Sequence, residues 1–369
     1  MFGNFKTPAF FMNAIEENLK SYKHNGYVHS AGTIAARKAV AQRFSSAGAE
    51  LTENDVVIGC GCSGALDLAI TALCNAGETL LVPRPGFALY ETLAQSKGIA
   101  VAYYDLNSEK GWEVDLDSLD TAIKDCDAPA AILVNNPSNP CGSVYSAEHL
   151  KAVIEIAAKH CTPIIADEIY RNIVFSTAKF VPMAGLSEDV PVLSVGGIAK
   201  EFLVPGWRVG WVLVHDKKGR FSKVRDGLFR LSQLVLGSCS LIQSALPELL
   251  TPSTDENKKA LADFTQATLA QLEDNAKFTT ERLKDVVGIN VIVPDGAMYV
   301  MIGIDASKFK DIDGDIAFTQ MLLEEEHVFM LPGTCFGMAK FARIVFSAPK
   351  DKLAEAYDRI EKFCKAHAV

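Results

Sequence analysis

Short runs of apolar residues alternate with amphipathic stretches along most of the chain. The apolar runs predict buried strands at 56–58, 79–82, 100–103, 130–134, 163–166, 190–195 and 209–214. Apolar positions spaced three and four apart predict helices at 8–22, 34–44, 64–76 and 146–160. Strands that alternate with helices favour a mostly parallel sheet, because each parallel connection needs a crossover segment.

The rhythm of this pattern changes between positions 265 and 285. Residues 256–285 predict one long amphipathic helix or a helix pair. The segments after it predict short strands at 289–293, 297–304, 328–331 and 342–347, and helices at 316–326 and 351–366. The change indicates a domain boundary near this helix.

Composition narrows the class of protein. The chain has 369 residues, of which 49% are hydrophobic, and a net charge of −9, which argues against a nucleic-acid-binding face. The nine cysteines are scattered through apolar segments, as expected for free thiols in a reducing compartment, and Cys60 and Cys62 have no second close pair to complete a zinc site. Residues 1–4 lack the basic and apolar features of a signal peptide, so we expect a cytoplasmic protein.

One lysine, Lys200, lies in the glycine-rich and apolar segment 194–211, and Arg208 follows eight positions later. The segment begins in the predicted strand 190–195, so the amine would be partly stripped of water. Desolvation disfavours an ammonium and makes the amine a better nucleophile. The alternative is a lysine whose stem lies along apolar surface while its charged head stays in water.

Polar or glycine-rich segments follow several predicted strands. Residues 59–66 turn into a helix whose free N–H groups could bind an anion, or they form an ordinary glycine turn with a serine cap. The amides of 135–142 and the acids of 167–170 stand where open α/β sheets bind ligands, or they form a turn and a cap. Phe87 and Tyr90 follow a proline loop and could be core residues or stack on a flat ligand.

Eight segments together carry a resemblance to a known family. They read NGYVHSAG, GCSGALDLAI, LVPRPGFALYETLA, VNNPSNPCGSV, ADEIY, SVGGIAKEFLVPGWRVGWVLVHD, GAMYVMIGI and LPGTCF. The chain resembles the pyridoxal-phosphate aminotransferases of the aspartate-aminotransferase fold, and within them the branch that acts on tyrosine. The resemblance implies an α/β large domain at 20–265 with a mostly parallel sheet of the seven-stranded type, and a smaller α+β domain made of 1–19 and 266–369.

The resemblance also implies roles for residues around the reacting atoms. Lys200 would bind the aldehyde of pyridoxal 5′-phosphate covalently, and Asp167 would pair with its pyridine nitrogen. Tyr170 and Asn139 would form hydrogen bonds with the cofactor's phenolic oxygen. Arg343 would bind the α-carboxylate of the substrate, with Asn139 beside it. Lys200, Asp167 and Tyr170 would be the catalytic residues.

Further cofactor contacts are implied in the same way. Phe87 would stack on the pyridine ring. Cys62 and Ser63 would hold the phosphate at the start of a helix, and Arg208 would clamp it with two hydrogen bonds. Tyr27 would reach the phosphate of the neighbouring subunit in a homodimer, whose boundary would lie near residues 237–243.

The activity implied is transamination between an aromatic amino acid, tyrosine or phenylalanine, and a 2-oxo acid such as 2-oxoglutarate. A rim of Phe87, Tyr90, Met298 and Tyr299 would suit an aromatic side chain, although the same residues could be core. A carbon–sulfur lyase on the same scaffold and a catalytically silent cofactor-binding protein are the alternatives. No membrane or nucleic-acid partner is expected.

Two features depart from the family pattern. Relatives usually carry an N-terminal arm before the segment that begins at Phe2, with a glycine–aspartate–proline motif on the substrate side. The alternatives are that this sequence is a truncated form of a longer chain or that its substrate pocket is more open. Many relatives also have a serine three positions before the lysine. Gly197 stands there in this chain, as it does in the tyrosine branch, and one phosphate hydroxyl is expected to be missing.

Overall fold

The computed structural model describes residues 6–369, which form two sheets covered by helices. The strands of the larger sheet are β1 (Val56–Cys60), β2 (Thr79–Arg84), β3 (Ala100–Asn107), β4 (Glu113–Val114), β5 (Pro129–Asn135), β6 (Ile164–Asp167), β7 (Val192–Gly197) and β8 (Val209–His215). Those of the smaller sheet are β9 (Ile289–Val291), β10 (Tyr299–Ile304), β11 (Leu331–Pro332) and β12 (Phe341–Val345).

Thirteen α-helices occur within residues 6–369. They are α1 (Ala9–Lys20), α2 (Ile34–Phe44), α3 (Gly61–Leu73), α4 (Leu89–Gln95), α5 (Leu116–Lys124), α6 (Ala147–Lys159), α7 (Met183–Leu186), α8 (Ile198–Glu201), α9 (Ser222–Leu231), α10 (Ser240–Leu250), α11 (Asp255–Leu283), α12 (Asp315–Glu326) and α13 (Lys350–His367). No helix among these residues is long and apolar enough to cross a membrane.

The larger sheet has the strand order β1-β8-β7-β6-β5-β2-β3-β4. Its five central strands, from β7 to β3, are parallel to one another, whereas β8 runs antiparallel to both of its neighbours. The two-residue strand β4 pairs with the edge of β3 and makes an eighth strand, one more than expected. The prediction of a mostly parallel sheet flanked by helices is confirmed.

Both faces of this sheet are buried under helices. Val57 and Ile58 are consecutive in β1, so their side chains point to opposite faces. Val57 packs in one cluster with Leu66 and Ile70 of α3. Ile58 packs in another with Val40 of α2. This burial on two faces explains why the strands appear in the sequence as continuous apolar runs.

The smaller sheet is antiparallel, with the order β11-β12-β10-β9, and packs against α11, α12 and α13. Its core also contains Ile169, Tyr170 and Ile173, which follow β6 of the larger sheet. The segment after Asp167 is therefore held by the C-terminal part of the chain, and the site lies where the two sheets approach each other.

Some predicted bounds differ from the structure. The segment 256–285 forms one helix, α11, that runs through the predicted boundary at 265/266. The strand expected at 328–331 is reduced to Leu331–Pro332, the two residues that pair with β12. Helix α1 packs on the large-sheet side, where the ring of Phe11 lies 5.2 Å from that of Trp207. The packing of α1 does not support the assignment of segment 1–19 to the smaller domain. Residues 1–5 of that segment lie outside the described residues. The division into domains stays a prediction.

Candidate active site

The carboxyl ends of three parallel strands meet at one edge of the larger sheet. Asn135, which ends β5, is paired with Asp167 at the end of β6, and Asp167 is paired with Val195 of β7. Strand β7 leads directly into α8, which carries Lys200. The parallel order of these strands therefore brings together polar residues that lie far apart in the sequence.

Asp167 is a buried carboxylate with hydrogen-bond donors on both oxygens. The Tyr90 hydroxyl donates to Oδ2 over 2.8 Å, and the backbone N–H of Ile169 donates to Oδ1 over 3.2 Å. The Cys62 thiol lies 3.7 Å from Oδ1. Burial raises the pKa of Asp167, while the donors and the charge of Lys200 act in the opposite direction. A carboxylate in this setting favours a cationic partner.

Lys200 is half-buried on the one-turn helix α8, beside the buried Ile198 and Ala199. Its Nζ atom lies 5.7 Å from the centroid of the Tyr170 ring. Its charge also acts on Asp167. The amine is therefore close to both of the residues with which it was predicted to share a site.

Tyr170 is joined to Tyr299, a residue of β10. The two hydroxyl groups lie 2.8 Å apart and the rings pack edge to face with centroids 5.7 Å apart. Burial and the neighbouring Tyr299 raise the pKa of Tyr170 well above its ordinary value. The Tyr170 hydroxyl therefore stays protonated, and one of the two hydroxyl groups donates to the other.

Arg343 extends from β12 into the same region. Its guanidinium carbon lies 4.6 Å from the ring centroid of Tyr299 and 4.7 Å from that of Phe336. Nη1 donates to Oδ1 of Asn139 over 2.8 Å. Burial lowers the pKa of Arg343, and its buried Nε has no acceptor among the described residues. The guanidinium thus keeps donor capacity for an anion such as a carboxylate.

The N-terminus of α3 and Arg208 form a second cationic region. Gly61 opens the helix with φ +73°, and a Cβ atom there would lie 2.5 Å from Nη2 of Arg208. Arg208 itself is exposed and donates to the carbonyl oxygens of Pro205, at 2.9 Å, and Cys60, at 3.3 Å. No acidic residue lies in the first turn of α3. Free N–H groups and a guanidinium together suit a phosphate.

Gly197 occupies a place too narrow for a side chain. It is paired with Gly210 of β8, and a Cβ atom on Gly197 would lie 2.7 Å from the carbonyl oxygen of Val209 and 3.0 Å from Cα of Gly210. A Cβ atom on Gly210 would lie 2.5 Å from the backbone nitrogen of Cys62. The glycines allow α3 to approach the ends of β7 and β8 closely.

The remaining predicted residues lie at the margins of this group. Ser63 is half-buried in the first turn of α3. Phe87 is half-buried, and its ring packs edge to face on Tyr90 at 5.7 Å. Tyr27 is 94% exposed, so a single chain does not bury it in the site. Its loop is anchored to α10, since the Ser240 hydroxyl donates to the carbonyl oxygen of His24.

The sequence left open whether the four candidate rim residues line the pocket or belong to the core, and three of them belong to the core. Tyr90, Met298 and Tyr299 are all buried, because Tyr90 packs under α3 and the other two belong to the core of the smaller sheet. Sequence reasoning missed the hydroxyl contacts of Tyr90 and Tyr299 and the link from Arg343 to Asn139. The only signal in the sequence was the position of Tyr90 and Tyr299 beside motifs already chosen. Within residues 6–369, no group of His, Cys, Asp and Glu is arranged to hold a metal ion.

The class of protein follows from this fold and site. The model of the family described as aminotransferase class I and II matches residues 2–360, and the chain belongs to that family. It is thus an enzyme of the transferase class, as expected.

Particular aminotransferases are similar to this chain in sequence and in structure. The tyrosine aminotransferase of Dictyostelium discoideum is 48% identical over 100% of this chain and 87% of its own length. The crystal structure of tyrosine aminotransferase from Leishmania infantum is 36% identical, with a TM-score of 0.93 over 100% of this chain and 89% of that chain. A double mutant of Thermus thermophilus aspartate aminotransferase is 26% identical, with a TM-score of 0.87 over 97% of this chain and 89% of that one. The expected aspartate-aminotransferase fold is confirmed.

Proposed function

We propose that this aminotransferase uses pyridoxal 5′-phosphate to move the amino group of an aromatic amino acid, tyrosine or phenylalanine, to a 2-oxo acid such as 2-oxoglutarate. The observation that carries the proposal is that three groups converge where the two sheets approach each other: the amine of Lys200, the buried carboxylate of Asp167 and the incompletely hydrogen-bonded guanidinium of Arg343. The tyrosine aminotransferase relatives support the choice of amino acid.

The chemistry of the residues fits this cofactor. A phosphate would meet the first-turn N–H groups of α3, the Ser63 hydroxyl and the Arg208 guanidinium, for which Gly61 leaves room. A protonated ring nitrogen would satisfy the buried charge of Asp167. Phe87 would cover the ring, and Tyr170 and Asn139 would donate to its phenolic oxygen. When bound, the cofactor supplies an electron sink for the charge that develops at the amino acid's Cα.

The chain's own groups would do the remaining work. Arg343 binds the substrate carboxylate and orients the amino acid, while its stacking on Tyr299 and Phe336 holds the guanidinium plane in place. The amine of Lys200 acts as a general base that takes the proton from Cα of the substrate, and it then acts as a general acid that returns a proton to the cofactor side. Two half-reactions with one product released before the second substrate binds predict ping-pong kinetics.

The assembly and location are proposals as well. A homodimer with shared sites would cover the exposed Tyr27 and the exposed apolar side chains of Leu234, Val235 and Leu236. We expect residues 237–243 to lie near that boundary. The nine cysteines are all free, which supports a reducing compartment such as the cytoplasm. Light scattering tests the dimer, because a fully active monomer would contradict the role given to Tyr27.

A donor-by-acceptor activity panel tests the reaction. We expect 2-oxo acid formation from tyrosine and phenylalanine only when a second 2-oxo acid is present. Lys200→Ala should abolish it while the protein stays folded. Release of ammonia or sulfide without an acceptor would instead indicate a lyase. Cofactor binding without turnover of any amino acid would indicate a catalytically silent protein.

A further inference from the structure

We propose that Tyr90 is a positioning residue: its hydroxyl keeps the Asp167 carboxylate ionised and oriented for a cationic ring nitrogen, with the Cys62 thiol as the weaker second donor. This inference rests on the proposed function, in which Asp167 meets the cofactor ring. Neither alternative that the sequence leaves open for Tyr90, a core position or a substrate rim, gives its hydroxyl group a role.

The geometry of Tyr90 makes it a fixed donor. The residue is 1% exposed on α4 and packs in the cluster beneath α3. Its ring also meets Phe87 edge to face with an interplanar angle of 89°. Because this packing fixes the position of the Tyr90 hydroxyl oxygen, the 2.8 Å hydrogen bond to Oδ2 of Asp167 sets where that carboxylate oxygen lies.

The protonation of the neighbours supports the same role. Burial and then the Asp167 charge raise the pKa values of both Tyr90 and Cys62 well above their ordinary values. Both groups therefore stay protonated at physiological pH and can only donate to the carboxylate. The titratable groups that face Asp167 come from several elements and comprise Cys62, Tyr90, Glu168, Tyr170 and Lys200.

Removal of the Tyr90 hydroxyl has a predictable consequence. Burial favours the neutral form of Asp167, and Tyr90 is first among the groups that oppose it. Without this donor, the carboxyl would take up a proton more readily. A neutral carboxyl would leave no uncompensated charge beside an analogue that lacks the ring nitrogen, so the site would discriminate less between a pyridine and a benzene ring.

The experiment compares the dissociation constants of two probes, pyridoxal 5′-phosphate and its analogue with a CH group in place of the ring nitrogen. The wild-type protein should bind the analogue about 10-fold more weakly or worse, and Tyr90→Phe should reduce this ratio by about 10-fold. The matched control is Tyr104→Phe, because Tyr104 is equally buried and donates to the Leu133 carbonyl oxygen at 2.7 Å. Its ratio should equal that of the wild type.

The outcomes separate this inference from the proposed function. A wild-type ratio near 1, matched by Asp167→Asn, would mean that Asp167 does not meet the ring nitrogen, and the site assignment would fail. A large wild-type ratio that Tyr90→Phe preserves would overturn the role of Tyr90 alone. If Tyr90→Phe does not fold, Cys62→Ala decides: it removes the second donor and should lower the ratio about 2-fold or more, and an unchanged ratio would overturn the proposal.

Discussion

A substitution at Gly197 tests whether the predicted phosphate-binding region has room for a side chain. The family resemblance suggests that a serine at this position would restore a missing hydroxyl and strengthen phosphate binding. The structure predicts the opposite for Gly197→Ser. The Cβ atom of the serine would lie 2.7 Å from the Val209 carbonyl oxygen and 3.0 Å from Cα of Gly210, and both are backbone atoms that cannot rotate away.

The magnitude follows from that crowding. Residues 197 and 210 are register partners in the β7–β8 pair, so the strands would have to separate by several tenths of an ångström. Overpacking of this kind typically costs about 1–3 kcal/mol. The same Cβ position lies 3.6 Å from the backbone nitrogen of Cys62, so the shift would reach the start of α3. We expect the cofactor to bind no more tightly than in the wild type.

Urea unfolding of the wild type, Gly197→Ala and Gly197→Ser gives the answer. Both variants should lose about 1–3 kcal/mol in free energy of unfolding, since both add the Cβ atom. Gly227→Ala is the control, because a Cβ atom there meets no heavy atom within 4 Å. Wild-type stability together with a lower cofactor dissociation constant in Gly197→Ser would refute the reasoning.

Two further predictions concern charge. Arg343→Lys replaces a planar, stacked guanidinium, and KM for the amino acid should rise about 10–100-fold with a smaller change in kcat; steady-state kinetics with an unchanged KM would contradict the carboxylate role. Burial disfavours the charged ring of His367, but hydrogen bonds to Glu325 and Asp311 outweigh it and raise the pKa above 6.5. The stabilisation is therefore complete below 6.5 and lost as pH rises through the raised value. The free energy of unfolding should fall over that range in the wild type but not in His367→Gln, and parallel pH profiles would contradict this.

The sequence predicted the elements whose signal is local. Helix α2 begins and ends at the predicted residues because its apolar spacing and its Thr33 cap are both local features. The antiparallel direction of β8 could not be predicted, since an apolar run has no direction. Strand β11 is shorter than its apolar run because pairing with β12 decides its length.

In the site, too, the features with a local sequence signal were predicted and those that depend on tertiary contacts were not. The motifs led to Lys200, Asp167 and Arg343, which the structure brings to one region. The apolar pattern could not reveal the burial of Tyr90, because a loop aromatic fits both core and pocket. Its role depends on a contact with a residue 77 positions away, which only the fold creates.

Borohydride reduction of the cofactor-loaded protein, followed by peptide mapping, tests the central claim most directly. Reduction fixes the link between a lysine amine and an aldehyde, so the cofactor should be found on the peptide that contains Lys200. Lys200→Ala should carry no label. A label on another lysine of the wild-type protein, or no label at all, would contradict the proposal that Lys200 binds the cofactor covalently.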